Sequence, residues 1–446
     1  MGFIIHYQNT KLFISNERCC ILVVDNVVQI EIKKYICSEE INNSMIRQEE
    51  ISSVINAQTN VFLNKTPKVK RDAFPNIPII ENFATIITGI RRCGKSTLLL
   101  QVLQDKFKDA LYLNFEDIRL TGFDATDFIR LEKEISRRGI QVLFFDEIQL
   151  IERWEIFIHQ LLNQEYQVFV TGSNASLLSK ELGTHLTGRQ LSMELFPFSY
   201  TEFLDYKALL PNKESAIAYL KTGGMPEYVK NNHPQILSNL LNDILIRDIA
   251  IRHGIRDIET LKKIAIYLIT NVGKPVSGNN LAKVFGFKST TTILEYFNYL
   301  QDSYLVEFLP QFNYSLKAQN RNPKKVYTLD NGFNEVLTMS FTDDDGRKLE
   351  NCVYQHLRRT SHELYYFKEK RECDFLVFEN NQIKQVVQVC YQLNDENFDR
   401  EYQGLIEAMQ FFNIEEGVIV TLEQQDEFEK EGTIVRVVKL WDYLTE

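Results

Sequence analysis

At 446 residues the chain is too long for one ordinary hydrophobic core and divides, at about 150 residues per domain, into two to four. A hydrophobic share of 44% with 25% charged residues excludes a disordered chain. The formal charge of -10, from 50 Lys plus Arg against 60 Asp plus Glu, argues against wholesale coating of nucleic acid but allows a local basic patch.

No run of 18 apolar residues marks a membrane span, and no clean signal peptide opens the chain. The 7 cysteines are scattered without CxxC spacing. That points to reduced, cytoplasmic thiols, with neither a zinc site nor a disulfide frame.

Residues 1–44 contain short Ile- and Val-rich runs (FIIHY, KLFIS, CCILVVDNVVQIEI). They read as a small β element or as an extension upstream of a start at Met45. Apolar spacing at Ile51, Val54 and Ile55 predicts a helix next. Residues 65–78 form a basic, Pro-containing linker. Strands are expected at ATIITG, LYLNFED, QVLFFDEIQ and QVFVTGSN, with helices after the first, at 124–137 and at 154–163. That alternation means a three-layer parallel α/β domain. From about residue 195, ELFPFSYTEFLDY starts a mostly helical, lid-like region, which completes a unit of 45–235.

Residues 236–335 carry 12 Lys plus Arg against 9 Asp plus Glu, a local +3 within an acidic chain. Helix, short helix, helix and β-ribbon follow in the order of a winged helix. Ser289 is positioned to cap the third helix. Lys317, Arg321, Lys324 and Lys325 could track phosphates from the wing, or form an ordinary solvated loop. The third helix is aromatic and poor in cations, which also leaves protein contacts open. Residues 336–446 read as helix, three strands, helix and two strands, a last α/β unit.

The strongest chemical signal is Gly89-Ile90-Arg91-Arg92-Cys93-Gly94-Lys95-Ser96, followed by Thr97, between a predicted strand and a predicted helix. The glycines let backbone N–H groups curl around phosphates, Lys95 would reach the terminal phosphates, and Ser96 would ligate Mg²⁺. Arg91 and Arg92 could touch nucleotide or an adjoining domain. Cys93 offers a thiol beside the phosphates, whose oxidation could block binding. The strand at 142–146 ends in Asp146 and Glu147: Asp146 would hold Mg²⁺ and Glu147 would polarise the attacking water. Asn174 is either a polar sensor for the water or γ-phosphate, or a helix cap for ASLLSKEL. Arg189 is either the transition-state arginine, acting in cis or from a neighbouring subunit, or a solvated surface residue.

GIRRCGKSTLL, YLNFED, LFFDEIQ, TGSNASLLSKELGTHLTGR, ELFPFSYTEF and GGMPEYV together resemble the prokaryotic AAA-like (archaeal-type) ATPases with a DUF4143 C-terminal region. The resemblance spans roughly 45–446. It implies a P-loop NTPase fold with ATP and Mg²⁺ as ligands, and with Lys95, Ser96, Asp146, Glu147, Asn174 and Arg189 in the matching positions. It also implies a winged-helix portion and a domain similar to the PD-(D/E)xK nucleases. That chemistry needs an acid on a helix, an acid on a strand and an acid-x-Lys. Glu350 and Asp374 could supply the first two, or be surface carboxylates. Gln388-Val389-Cys390 lacks the lysine, for which Lys368 or Lys370 are distant substitutes. The domain is therefore expected to be catalytically degenerate.

The reading is a cytoplasmic Mg²⁺-dependent ATPase that repositions these domains on DNA, with self-association allowed. The alternatives are a slow nucleotide-gated switch acting on a protein partner, and a residual metal-dependent nuclease.

Overall fold

A computed structural model describes residues 3–6, 22–24, 27–30, 46–175, 188–337, 345–430 and 432–446. The KLFIS run, most of the helix expected after Asn174 and the Leu186-Thr187 part of the GR motif lie outside them. Upstream, β1 (Phe3–His6), β2 (Leu22–Val24) and β3 (Val27–Ile30) pair as an antiparallel sheet in the order β1-β3-β2. Among the described residues, no helix is long and apolar enough to cross a membrane.

The α/β domain is a five-stranded parallel sheet. Its strands are β4 (Ala84–Thr88), β5 (Leu111–Asn114), β6 (Val142–Asp146), β7 (Gln167–Gly172) and β8 (Gln190–Glu194), in the order β5-β6-β7-β4-β8. All five residues of β4 are buried, because helices or further chain cover both faces of the sheet. One face packs α1 (Gln48–Leu63), α3 (Phe128–Arg138) and α4 (Trp154–Asn163) through Ile55, Leu131, Trp154 and Phe157. The other face carries α2 (Lys95–Lys106), whose Leu98, Leu99 and Leu103 continue into a core with Leu240, Ile244, Leu261 and Leu268. The region beyond residue 225 is therefore packed on the sheet domain rather than tethered to it.

β8 is absent from the sequence reading. Its QLSME has no continuous apolar run, because it is an edge strand with only partial burial. It matters because it flanks β4, and the Leu195 N–H donates to the Thr88 carbonyl at 2.7 Å.

Farther along, α5 (Gln235–Asp243) runs into a π-helical segment at Ile244–Ile251. Then come α6 (Ile258–Thr270), β9 (Pro275–Val276), a short helix at Gly278–Val284, α7 (Thr290–Asp302), β10 (Val306–Leu309) and β11 (Lys324–Thr328). The three strands form one antiparallel sheet, β10-β11-β9. Ser289 caps α7, accepting from the Thr291 N–H.

The last unit contains α8 (Asp345–Thr360), β12 (Glu363–Lys368), β13 (Glu372–Glu379), β14 (Gln382–Val389), α9 (Phe398–Phe412), β15 (Glu416–Thr421), β16 (Asp426–Lys430) and β17 (Thr433–Lys439). Its sheet order is β12-β13-β14-β15-β17-β16. The sequence reading lacks β16, an exposed and mostly charged edge strand. Leu349, Tyr354 and Phe375 of this unit share a core with Phe198, Phe203 and Tyr219 of the lid-like region. The units are thus interlocked through apolar burial worth about 1.5–3 kcal/mol per large side chain.

Gly89 closes β4 at φ +146°, and a Cβ there would lie 2.1 Å from the Leu195 carbonyl oxygen. Gly89→Ala must therefore push the phosphate loop off the β8 edge. A loss of at least about 3 kcal/mol is expected in urea unfolding; an unchanged midpoint would refute this account.

Candidate nucleotide site

The phosphate loop leaves β4 and enters α2, turning at Arg92 (φ 64°) and Gly94 (φ +104°). The parallel register sets Asn114 of β5 beside Asp146 of β6, and β7 follows on the other side. The carboxyl ends of three strands thereby converge on the start of α2. Asp146 accepts hydrogen bonds from Ser96 Oγ at 2.6 Å, from the Tyr112 hydroxyl at 2.7 Å and from the Thr171 hydroxyl. Burial and the Asp146 charge push the Tyr112 hydroxyl pKa up, so it stays a donor. Its ring stacks on Phe62 of α1, with centroids 3.9 Å apart.

Lys95 is 5% exposed, and its Nζ donates to the carbonyls of Gly89 at 3.1 Å and Ile90 at 3.3 Å. The Glu147 carboxylate lies 3.9 Å from it. Glu147 adopts a left-handed backbone (φ 55°) and accepts from Gln149 Nε2 at 2.5 Å. Burial raises its carboxyl pKa, opposed by the Lys95 charge. Because β7 lies between β4 and β6, Asn174 emerges buried between the two motifs.

These groups fit a magnesium nucleotide. The donor set combines an ammonium, a hydroxyl and a carboxylate at a helix N-terminus. A cavity of about 380 Å³ adjoins Gly94, Ser96 and Thr97, and its walls include Phe62, Pro67 and Val69.

One expectation needs revision, and three arginines take places that the sequence left open. The Cys93 thiol does not face the phosphate side: it is fully buried behind the loop and donates to the Leu195 carbonyl at 3.3 Å. Burial pushes its pKa up, the reverse of a reactive thiol. Arg189 stands at the opposite, N-terminal edge of the sheet, where its carbonyl accepts from the Ala84 N–H and its Nη2 donates to Asn163 at 2.7 Å. A five-residue strand at about 3.3 Å per residue separates it from the loop of its own chain. Arg91 and Arg92 reach the region beyond residue 225: Arg91 pairs with Glu116 at 2.8 Å and Asp248 at 3.3 Å, and Arg92 with Glu227 at 3.0 Å and Asp243 at 3.4 Å.

Sequence reasoning missed Arg71, which lies in the basic linker and is 2% exposed. Its guanidinium donates to the Cys93 carbonyl at 2.8 Å, the Phe196 carbonyl at 2.6 Å and Glu202 at 2.8 Å. It thereby ties linker, phosphate loop and lid together. Nothing in KVKRDAF distinguishes it from its solvated neighbours.

A family model described as an AAA domain matches residues 81–204, and one described as a domain of unknown function (DUF8612) matches residues 213–344. An uncharacterized protein of Methanocaldococcus jannaschii, MJ1544, is 33% identical over 90% of this chain and 96% of its own length. An uncharacterized protein of Haemophilus influenzae is 30% identical over 72% of this chain and 85% of its own. The chain belongs to the family of these two proteins. The AAA-like P-loop ATPase part of the resemblance holds, while the model matched after it is DUF8612 and not the expected DUF4143. A chain of the S. cerevisiae Hsp104:casein complex aligns over 58% of this chain and 49% of its own, at 13% identity and a TM-score of 0.27.

This AAA-domain chain has a second polar cluster between β11 and its C-terminal unit. Lys325, expected on an exposed wing, is instead 2% exposed. Its ammonium contacts Asp374 at 2.8 Å, Glu372 at 2.9 Å and Glu350 at 3.2 Å. It cannot track phosphates, because β11 turns it into the carboxylates of α8 and β13. Gln388 is spent on Glu401 and the Asp374 N–H, and the Cys390 thiol donates to the Gln392 carbonyl. Lys368 is exposed beside Glu372, and Lys370 is also exposed, so neither replaces the missing lysine. Among the described residues, no group of three or more His, Cys, Asp or Glu is arranged to hold a metal ion.

Burial raises the Glu350 carboxyl to about 7, with Lys325 pulling the other way. A carboxyl raised on folding favours the folded state below its unfolded pKa, near 4.5, and loses that contribution as pH climbs through the folded value. Removing the ammonium takes away that opposing pull and raises the Glu350 carboxyl further. Lys325→Met should therefore cost about 3–5 kcal/mol at pH 8 and clearly less at pH 5. Urea unfolding at both pH values checks this, and a pH-independent difference would contradict it.

Proposed function

We propose that the chain is a Mg²⁺-dependent ATPase whose nucleotide state is passed to the units that follow its AAA domain. The observation that carries this reading is the 2.6 Å bond between Ser96 and Asp146, with Lys95 and Glu147 beside it. Lys95 exchanges the Gly89 and Ile90 carbonyls for phosphate oxygens. Ser96 and Asp146 would hold Mg²⁺, which would supply charge neutralisation for the phosphates. Glu147 orients the attacking water, and Asn174 contacts the water or γ-phosphate. Arg189 is available only to a second copy of the chain, so a role for it in hydrolysis requires self-association.

A winged-helix reading of 236–335 is supported by the element order and by the β10-β11-β9 sheet. A nuclease-like reading of 336–446 is supported by the helix–three strands–helix–strand order. Glu350 lies on its first helix and Asp374 on its second strand. With Lys325 seated among the carboxylates, a scaffold without cleavage activity is favoured over a residual nuclease. Exposed Lys317 and Arg321 favour DNA as the macromolecular partner. The aromatic α7 favours the second reading, a switch acting on a protein.

Mg²⁺-dependent phosphate release should fall to background in Lys95→Ala. Glu147→Gln should keep nucleotide binding and lose about 10²-fold or more in kcat. Equal rates for wild type and Lys95→Ala would end the ATPase reading. Rates measured with double-stranded, single-stranded and branched DNA separate the two partners: stimulation by one form supports DNA, and indifference to all supports the protein switch.

A further inference from the structure

The π-helical segment Ile244–Ile251 is unusual in length, since π geometry ordinarily persists for a single turn and collects at functional sites. It lies against the phosphate loop. Asp248, on this segment, is 4% exposed and accepts from Arg91 Nε at 3.3 Å. Arg91 Nη2 donates to Glu116, just beyond β5, at 2.8 Å. The two partners differ: the Asp248 side chain is 6% exposed, whereas that of Glu116 is 36% exposed. Arg92, next in the loop, reaches Asp243 at the end of α5.

Burial disfavours the Arg91 charge, but Asp248, Glu116 and Glu147 outweigh it, so the guanidinium pKa is raised. Arg91 directly follows Ile90, whose carbonyl accepts from Lys95 Nζ at 3.3 Å, and that ammonium lies 3.9 Å from Glu147, so the guanidinium leaves the loop at the end where the terminal phosphate would lie.

We propose that Arg91 is the in-cis arginine that meets the γ-phosphate, and that Asp248 is its positioning residue. Nε stays on the buried Asp248 while Nη2 exchanges the solvent-facing Glu116 for a phosphate oxygen. Hydrolysis then requires the π-helical segment to be docked, so the DUF8612 region gates the ATPase through one ion pair. This rests on the ATPase reading and supplies the arginine that Arg189 cannot provide within one chain.

The test is steady-state ATP hydrolysis by the full chain as wild type, Arg91→Ala, Asp248→Asn, the double variant and Asp248→Glu, with Lys95→Ala as the blank. A fluorescent ATP analogue reports binding. Asp248→Asn is expected to lose at least about 10-fold in kcat with KM within about threefold, because only the transition-state contact is misplaced. Arg91→Ala should lose as much or more, and the double variant no more than Arg91→Ala alone. Asp248→Glu should recover part of the rate. Full kcat in Asp248→Asn, or losses that multiply in the double variant, would overturn the proposal. Should Asp248→Asn fail to bind the analogue or to fold, Asp248→Glu and Arg91→Ala carry the same comparison: a rate in Asp248→Glu no better than in Arg91→Ala overturns it. Wild-type hydrolysis equal to the Lys95→Ala blank would defeat the ATPase reading itself, and this inference with it.

Discussion

The hydrogen bond from Ser96 to Asp146 joins two segments fifty residues apart at the carboxyl edge of one sheet. Much of the AAA domain serves this contact. β4, β6 and β7 must be parallel and in register for the start of α2 to face the end of β6. Their apolar residues hold that register, because a slip of one residue would turn every buried side chain outward. Asp146 then sits among hydroxyl donors supplied by three neighbouring elements. Glu147, one residue on, is carried out of the strand by its left-handed turn and held under Lys95.

Around this edge the chain is tied together by buried and half-buried cations. Arg71 joins the linker to the loop and lid, Arg91 joins the loop to the π-helical segment, and Arg358 of α8 reaches Glu194 of β8 at 2.7 Å and Glu307 of β10 at 3.5 Å. Burial raises the Glu307 carboxyl to about 7, against the pull of Arg358. Buried ion pairs are weak sources of net stability, because desolvation offsets most of the attraction. Removing one partner, however, leaves a charge stranded. Such pairs therefore fix which surfaces meet, while the shared apolar cores supply most of the driving force.

The C-terminal unit follows the same logic at Lys325. Three carboxylates drawn from α8 and β13 need a compensating cation, and β11 of another unit provides it. Tyr327, two residues on, donates to Glu350 at 2.7 Å from the same face of the ribbon. Together they seal the cluster against β11.

Much of the sheet domain was legible because its strands are continuous apolar runs and its loop carries spaced glycines, signals that depend on near neighbours in the chain. α4 and the cap of α7 follow from periodicity and a single serine. β8 and β16 were not legible, since edge strands need no apolar run. Nor was the π-helical segment, whose pattern resembles that of any buried helix. The sequence alone determined the candidate nucleotide chemistry, Lys95, Ser96, Asp146 and Glu147, because a phosphate site is built from local backbone geometry and one strand end. Only the tertiary structure decided where the isolated charges go. It buried Arg71, turned Arg91 to Asp248, set Arg189 at the far edge and drew Lys325 inward. A lone cation looks alike in solvent and in a core, and its partner is chosen by packing between segments distant in the chain.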